Sequence, residues 1–333
     1  MKPVEKTILA LFLGVLVCTS CTKELDLPYP QAEDQIVLNA ILHPDSVIVL
    51  SINKTLPTRS SGNDFPLITN AEVQLYENNE LLGKLSYQDS TYVLNYYPKA
   101  GSEYTIEVII PGHDIISASD KIPLPITADA CYLFADNSSS SYLTTRLNIL
   151  DNTLEDNVYW LTLMITTYGD FECRIAPEKD PSYFCVGIDS SLYTERMFYL
   201  HSYSTIPDKF NASIDNTSGG VTEYSGFIRI DDYSLNEENI NIELGSIGDP
   251  MFQQSEMNQL DSNQYVTLHV MSTSENYDRY LKSSVMYALN NGFRDTPGIF
   301  AEPTQIYSNI ENGSGIFAAY NSVSIAVEDF PCE

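Results

Sequence analysis

The pattern that most constrains the fold is a series of short segments in which apolar and polar residues alternate. In one of them Tyr104, Ile106 and Val108 fall two positions apart, so a strand here would bury one face and leave the other in water. Seven such segments predict a β-sandwich over residues 35–122. They span residues 36–42, 47–53, 71–76, 81–86, 91–95, 103–110 and 114–119.

Turn residues separate these segments and close the first predicted domain. Asn78-Asn79 and Pro111-Gly112 stand where neighbouring strands would reverse. Residues 99–112 resemble the closing strands of an immunoglobulin-like or transthyretin-like module, which implies binding or spacing more often than catalysis. Two prolines within residues 121–125 predict a stiff linker, and therefore a domain boundary.

The second predicted domain, residues 126–333, is larger, β-rich and less regular. Strands are predicted at residues 143–150, 158–168, 227–230, 239–244 and 265–271. Apolar residues at helical spacing predict one helix over 277–289, with Ser274 and Glu275 before it as capping residues. The whole chain is therefore expected to be mainly β, with two sandwich-like domains.

The first 21 residues have the layout of a bacterial secretory signal. Lys2 and Lys6 precede an apolar run at residues 8–17, well short of the ~20 residues that a membrane-spanning helix needs. Small residues and Cys21 follow, in an order that resembles the lipobox, where a peptidase cuts before the cysteine that is then acylated. We predict a signal peptide over residues 1–20 and lipid attachment at Cys21. A transmembrane helix is the alternative.

Residues 21–34 are predicted to form a tether between the acyl chains and the folded part. Lys23, Glu24 and Asp26 follow Cys21, and this order of charges is similar to the export signal of surface lipoproteins of Bacteroidota. Two acyl chains give stable membrane attachment. The expected location is the outer membrane, lipid-anchored at the cell surface. A charged, solvated tether is the alternative interpretation of these residues.

The net charge excludes two classes of partner. The chain has 17 Lys and Arg against 45 Asp and Glu, a formal charge of -28. Nucleic-acid binding and polybasic docking on anionic lipids both need a basic surface. The sequence therefore predicts no nucleic-acid partner and leaves the acyl chains to hold the protein at the membrane. The 43% of hydrophobic residues indicates a packed core despite the acidity.

Four cysteines remain after the lipid-attachment site, and an oxidising compartment would allow three pairings of them. Cys173 and Cys185 flank a short polar segment with two prolines, which favours a disulfide across a hairpin. Cys131 and Cys332 would then form the second pair. Zinc binding and free thiols are the alternatives, but no C-x-x-C pair is present and no histidine lies at ligand spacing, so no metal site is predicted.

The C-terminal part carries the most specific resemblance to a known family. FAEPTQIYSNI at 300–310 and NGSGIF at 312–317, with YDRYLK at 277–282 and the start LDLP at 25–28, resemble the family called domain of unknown function 4249 (DUF4249). The resemblance implies a lipoprotein of Bacteroidota, often associated with TonB-dependent outer-membrane receptors. No catalytic residues come with it.

Enzyme chemistry has little support in the sequence. A serine hydrolase would need a nucleophile on a sharp turn, but the G-x-S-x-G motif is absent. The four histidines are scattered, at positions 43, 113, 201 and 269, so a Ser/His grouping could arise only through the fold. We therefore expect no enzyme activity and no cofactor.

The 23 tyrosines point instead to binding, because tyrosine offers both apolar area and a hydroxyl. Tyr183, Tyr193 and Tyr199, in the irregular middle region, are predicted to form a binding face for a small molecule, glycan or peptide. Half-buried strand tyrosines are the alternative. The sequence thus predicts a non-catalytic binding or accessory component of a TonB-dependent uptake system. A structural or adhesive surface protein is the alternative, and an extracytoplasmic hydrolase the third choice.

Overall fold

A computed structural model describes the chain in ten segments, which together are mainly β and include one helix. The predicted mainly-β, sandwich-like fold is therefore confirmed. Close contacts join Gln35–Thr55 and Gly62–Glu333 into one compact unit, and the description below concerns that unit. The described segments are residues 35–56, 65–134, 143–150, 156–168, 193–197, 199–202, 227–231, 239–247, 264–291 and 305–326.

All seven strands predicted within residues 35–122 are present, each within two residues of its predicted bounds. Alternation is strict where it was predicted: Tyr104, Ile106 and Val108 are fully buried, while Glu103 and Ile109 on the other face are exposed. The strands are β1 (Ile36–Leu42), β2 (Ile48–Lys54), β3 (Glu72–Glu77), β4 (Glu80–Gln88), β5 (Thr91–Leu94), β6 (Glu103–Ile109) and β7 (Ile116–Lys121).

The predicted turns have the backbone geometry that their residues favour. Asn78 and Asn79 adopt φ of 50° and 68°, which is the two-residue hairpin turn between β3 and β4. Gly112 has φ of 85°, and the His113 amide donates to the Ile110 carbonyl over 3.1 Å, as in a type II turn led by Pro111. The residues at these two turns therefore predict correctly where the chain reverses.

The remaining elements belong to the longer C-terminal part of the chain. Helix α1 (Glu275–Asn291) begins two residues before and ends two residues after its predicted bounds. Four described strands of this part were not predicted, namely Thr127–Phe134, Tyr193–Met197, Tyr199–Ser202 and Ser314–Ala326. The strands are β8 (Thr127–Phe134), β9 (Leu143–Leu150), β10 (Val158–Tyr168), β11 (Tyr193–Met197), β12 (Tyr199–Ser202), β13 (Ile228–Asp231), β14 (Asn239–Ile247), β15 (Gln264–Thr273) and β16 (Ser314–Ala326).

Two sheets contain all of these strands. The larger has twelve strands in the order β11-β10-β15-β16-β1-β2-β5-β4-β3-β6-β7, with β13 pairing beside β10. The smaller has four, in the order β12-β14-β9-β8. Strand β1 pairs with β16 in parallel, from Val37 opposite Ser314 to Leu42 opposite Ala319. The first and last described strands are therefore neighbours.

Two hydrophobic cores lie along this arrangement, and β16 contributes to both. The first core is built from β1 to β7 and includes Phe317 and Ala319 of β16. The second lies between the four-stranded sheet and strands β10, β13 and β15, and Val323 and Ile325 pack against it. Because these four residues alternate along one strand, the same face of β16 passes from the first core to the second.

Gly315 permits the close approach of β1 and β16. Its φ is 107°, a conformation that side-chain-bearing residues rarely adopt. A Cβ atom at this position would lie 2.0 Å from the carbonyl oxygen of Leu38 on β1. Only glycine therefore fits the parallel pairing at this point.

The predicted boundary at residues 122–126 lies between the two cores along the chain. The larger sheet nevertheless contains strands from both sides of it, and β16, which the sequence assigned to the second domain, completes the first core. The division of the chain into two domains stays a prediction.

A buried tyrosine closes the first core at the start of β6. The hydroxyl of Tyr104 accepts a hydrogen bond from the Lys99 amide at 2.8 Å and donates to Glu77 at 2.8 Å. Tyr96 and the Lys99 ammonium also contact Glu77. Burial raises the pKa of Glu77, but these three partners outweigh that effect and hold the pKa below its usual range. The tyrosine-to-backbone bond resembles the tyrosine corner of immunoglobulin-like domains.

Candidate functional site

Most of the side chains that the sequence singled out lie outside the described residues. The backbones of Tyr193 and Tyr199 are described: Tyr193 begins β11 in the larger sheet, and Tyr199 begins β12 in the smaller one. The two tyrosines therefore occupy strands of different sheets, and the binding face predicted for them stays a prediction. Outside the described residues lie Cys21, Lys23, Glu24, Asp26, Cys173, Tyr183, Cys185 and Cys332.

Cys131 is disulfide-bonded, which agrees with the expected use of cysteines as cross-links. It lies on β8, at one edge of the four-stranded sheet. Its partner is outside the described residues, so the pairings Cys131 with Cys332 and Cys173 with Cys185 stay predictions.

The structure brings one histidine to a serine in a way that resembles a catalytic pair. His43 Nε2 lies 3.0 Å from Ser322 Oγ on β16. The Asp45 backbone amide donates to His43 Nδ1 over 3.2 Å, so Nδ1 is the acceptor and the proton of the neutral ring is on Nε2. Nε2 therefore donates to Ser322 and has no lone pair with which to take the serine proton.

The electrostatics of His43 support the same assignment. Burial lowers the pKa of His43, because a charged ring is poorly solvated there, and nearby Asp45 only partly opposes this. The ring is thus neutral near pH 7 and acts as a hydrogen-bond donor to Ser322. The pair joins the turn after β1 to β16 and lacks the arrangement of a base and nucleophile.

A second histidine contacts a serine across two neighbouring strands. His269 Nδ1 lies 2.8 Å from Ser324 Oγ in an exposed position. The two residues are directly opposite each other in the β15–β16 pair. Such a contact is the expected one between cross-strand neighbours on an open sheet face.

Aromatic rings connect β16 to helix α1. The Tyr320 ring lies 4.6 Å from the His43 ring and 5.6 Å from Tyr277, and Tyr277 stacks on Tyr280 at 6.4 Å. Burial raises the pKa of Tyr277 to about 12. The rings of these tyrosines contact one another, and they therefore pack the helix against the sheet.

A buried ion pair fixes the same helix to the second core. Arg229 Nε and Nη2 donate to the two Asp278 carboxylate oxygens at 2.7 and 2.9 Å, and Trp160 Nε1 donates to Asp278 at 3.0 Å. Lys282 adds a contact at 2.9 Å. Burial raises the pKa of Asp278, but the hydrogen bonds from Arg229 and Lys282 outweigh this and lower it. Because the carboxylate is fully partnered, this cluster is structural.

The start of the helix is held by a residue from the first predicted domain. Ser274 Oγ accepts the Tyr277 amide at 3.1 Å, which is the capping interaction expected from the sequence. Ser274 in turn donates to the Asp120 carboxylate, and Asn276 Nδ2 donates to it at 3.0 Å. Burial raises the pKa of Asp120 to about 6, although the hydrogen bonds oppose that shift.

The outer face of the four-stranded sheet presents a group of polar side chains that sequence reasoning missed. Asp129, Asn148 and Asn241 lie opposite one another across β8, β9 and β14. In the next row on the same face, Arg146 lies between Cys131 and Glu243. We call Asp129, Arg146, Asn148, Asn241 and Glu243 the polar face.

The polar face is concave and partly organised by its own hydrogen bonds. It lines a shallow depression of about 420 Å³. Asn148 Nδ2 donates to Asp129 at 3.1 Å, and Arg146 Nε lies 3.4 Å from Glu243. The Asn148 Oδ1 atom is buried and has no hydrogen-bond partner. The signal in the sequence was the alternation in β9, where the polar Arg146 and Asn148 alternate with the buried Leu147 and Ile149.

The sequence profile described as domain of unknown function (DUF4249) matches residues 22–326. The chain belongs to the DUF4249 family. A search of curated proteins finds no match for this DUF4249 chain. Among solved structures, a glycosyl hydrolase family 2 member from Bacteroides cellulosilyticus is similar at 10% identity over 72% of this chain. The TM-score is 0.19, and the match spans only 27% of that enzyme, so it carries no inference about this DUF4249 protein.

Two further observations concern only the described part of this DUF4249 chain. No three His, Cys, Asp or Glu side chains within it are placed to share a metal ion. Within the same residues, no helix is both long and apolar enough to span a bilayer.

Proposed function

We propose that this DUF4249 protein is a non-catalytic, lipid-anchored outer-membrane protein that binds a ligand beside a TonB-dependent receptor. The observation that carries the proposal is the order of its first 26 residues, where a short apolar run ends at Cys21 and a charged tether follows. Acyl chains on Cys21 would hold the body at the membrane surface. Lys23, Glu24 and Asp26 would direct it to the cell exterior.

Two features of the described residues favour binding over catalysis. His43 donates a hydrogen bond to Ser322, whereas the histidine base of a hydrolase accepts a hydrogen bond from its serine nucleophile. The polar face presents hydrogen-bond donors and acceptors around a depression of about 420 Å³, a size that is typical of small-molecule binding sites.

The anchor is tested by growing the native host with a clickable palmitate analogue. The wild-type protein should be labelled and recovered in the outer-membrane fraction. Cys21→Ala should abolish labelling, because the acylated thiol is removed. Cys18→Ala is the matched control, since it changes the other nearby cysteine and should leave labelling intact. Labelling of the Cys21→Ala variant, or intact protein in the cytosol, would contradict the proposal.

The location and partner are tested on the same cells. Protease added to whole cells should cut the wild-type protein, and a variant with Lys23, Glu24 and Asp26 changed to Gln, Gln and Asn should become protected. Detergent pull-down followed by mass spectrometry should recover a TonB-dependent receptor with the protein. Recovery of the bait alone would favour the structural or adhesive alternative.

A further inference from the structure

We infer that one face of the larger sheet rests on the lipid bilayer to which Cys21 would anchor the chain. This inference rests on the proposed anchor and adds the surface by which the folded part meets the membrane. The face is the outer side of β1, β2 and β5, opposite the first core. It consists of alternate residues, from Val37 to Ile41 on β1, from Val49 to Asn53 on β2, and Thr91 and Val93 on β5. We call these residues the uncharged face.

Apolar side chains form a continuous row across the uncharged face. Val49 is directly opposite Val93, and the β1–β2 register brings Ile41 beside Val49. Ile41 is 39% exposed, Val49 is 41% exposed and Val93 is half-buried. Leu67, at 45% exposure, adds apolar area at the margin. Single exposed apolar residues are ordinary, but a row across three strands indicates a surface that contacts something.

The uncharged face differs in charge from other outer faces of the same sheet. None of its residues is Asp, Glu, Lys or Arg, although the chain has 45 acidic and 17 basic residues. The outer sides of β3 and β6, by contrast, present Glu72, Glu103 and Glu107. An anionic membrane surface repels such carboxylates. The folded part therefore approaches a membrane at least cost with the uncharged face toward it.

The proposed anchor is attached close to this face along the chain. Gln35, which directly precedes β1, is 14 positions after Cys21. Fourteen residues span at most about 50 Å, so acylation would keep β1 within that distance of the bilayer. A tether makes the second contact intramolecular and raises its effective concentration. A small apolar face is therefore sufficient for docking.

The size of the face favours a bilayer over another protein or a second copy of the chain. Three neighbouring strands over this length cover an area of about 15 Å by 15 Å, or roughly 200 Å². A stable protein interface buries about 800 Å² on each partner. A second copy would also bring another charge of -28. A bilayer needs no such area, because the acyl chains already hold the protein and the apolar row only has to enter the interfacial region.

The test measures whether a probe on this face reaches lipid. Full-length acylated protein from the native host is reconstituted in phosphatidylcholine nanodiscs with or without bromine on the acyl chains, since bromine quenches nearby tryptophan. Val49→Trp places the probe on the uncharged face, and Ile109→Trp is the matched control, because Ile109 is 39% exposed on the outer side of β6. Trp160 is buried and contributes to both proteins. Brominated lipid should lower the emission of Val49→Trp by about a third and that of Ile109→Trp by less than about a tenth.

A charge on the face should remove the contact. In the Val49→Trp protein, Ile41→Glu puts a carboxylate beside the probe and should reduce the quenching at least about threefold, because a charged group is costly to transfer out of water. Leu81→Glu adds the same charge at a side chain that is 56% exposed on β4. It should leave the quenching within about a fifth, because salt screens a distant surface charge. If circular dichroism shows that Ile41→Glu is not folded, Ile41→Asn takes its place.

Three results would overturn the inference. They are no quenching of Val49→Trp, equal quenching of Ile109→Trp, and quenching that the polar substitution of Ile41 leaves unchanged. In the first case, loss of receptor recovery or of a dimer in the Ile41→Glu variant would assign the face to a protein instead.

These outcomes are separate from those of the proposed function. Palmitate-labelled protein without quenching would remove the docking face and keep the anchor. Protein without the label would remove the anchor, and the docking with it.

Discussion

Replacing Gly315 by alanine tests whether the parallel pairing of β1 with β16 holds the fold together. The new Cβ would lie 2.0 Å from the Leu38 carbonyl oxygen and 2.9 Å from the Leu38 backbone nitrogen and carbonyl carbon. All three are backbone atoms of a buried strand, so no side chain can rotate to make room. One of the two strands must therefore move by about 1 Å or more.

The cost has two parts. A left-handed φ costs a residue with a Cβ roughly 1–2 kcal/mol, and forcing extra volume into a packed core costs typically 1–3 kcal/mol more. The free energy of unfolding should thus fall by about 2–5 kcal/mol. Gly112→Ala isolates the first part, because Gly112 has φ of 85° but nothing within 4 Å of the added Cβ. Gly83→Ala meets only the Leu94 side chain at 3.5 Å and should change the stability least.

Guanidinium unfolding followed by circular dichroism measures these differences, and the fluorescence of Trp160, the single tryptophan, reports on its own surroundings. Trp160 is buried on β10, and its row in the sheet reaches β16 at Ser322, seven positions from Gly315. If β16 couples the two cores, the Trp160 transition of Gly315→Ala should shift together with the circular dichroism transition. The reasoning is wrong if Gly315→Ala loses no more stability than Gly112→Ala.

Three further predictions concern buried polar groups, each measured by the same unfolding assay. Asp278→Asn should cost about 3–5 kcal/mol because it removes the buried carboxylate that pairs with Arg229 and leaves the part-exposed Asp231 as the described carboxylate beside that guanidinium, whereas Asp278→Leu/Arg229→Met should be milder; equal losses would contradict this. For Asp120, the pKa raised from 3.8 to about 6 means that the native state binds the extra proton, so stability should fall by about 2–3 kcal/mol as pH rises from 4 to 7. Asp120→Asn should remove that component, and an unchanged pH slope would refute it. Tyr104→Phe should cost about 1–3 kcal/mol, since it removes the hydroxyl partner of both the Lys99 amide and Glu77; a neutral effect would show that water replaces it.

Elements specified by local chemistry were predictable from the sequence. Strand β1 has the predicted bounds because its alternation is strict, and the Asn78-Asn79 turn follows from residues that tolerate positive φ. Helix α1 was recognised from its apolar spacing and from the Ser274 cap, which the structure confirms through the Tyr277 amide. Each of these signals lies within a few residues of the element that it defines.

Features that depend on distant partners could not be predicted. The sequence indicated turns at residues 312–315, and Asn312 does have a positive φ of 57°. Nothing local showed that Gly315 lies against Leu38, because the partner strand is near the other end of the described chain. The polar face also depends on partners that are distant in sequence, since Asp129, Asn148 and Asn241 become neighbours only through the register of three strands.

The adjacency of β1 and β16 also affects the time at which the protein can fold during synthesis. Gln35 and Ser314, whose side chains share a hydrogen bond of 2.8 Å, are separated by 279 positions. At roughly 5–20 residues per second, the ribosome needs on the order of 15–60 s to make that span. Through this interval strand β1 lacks its parallel partner β16, so the larger sheet can be completed only after Ser314 and the residues that follow it have been made.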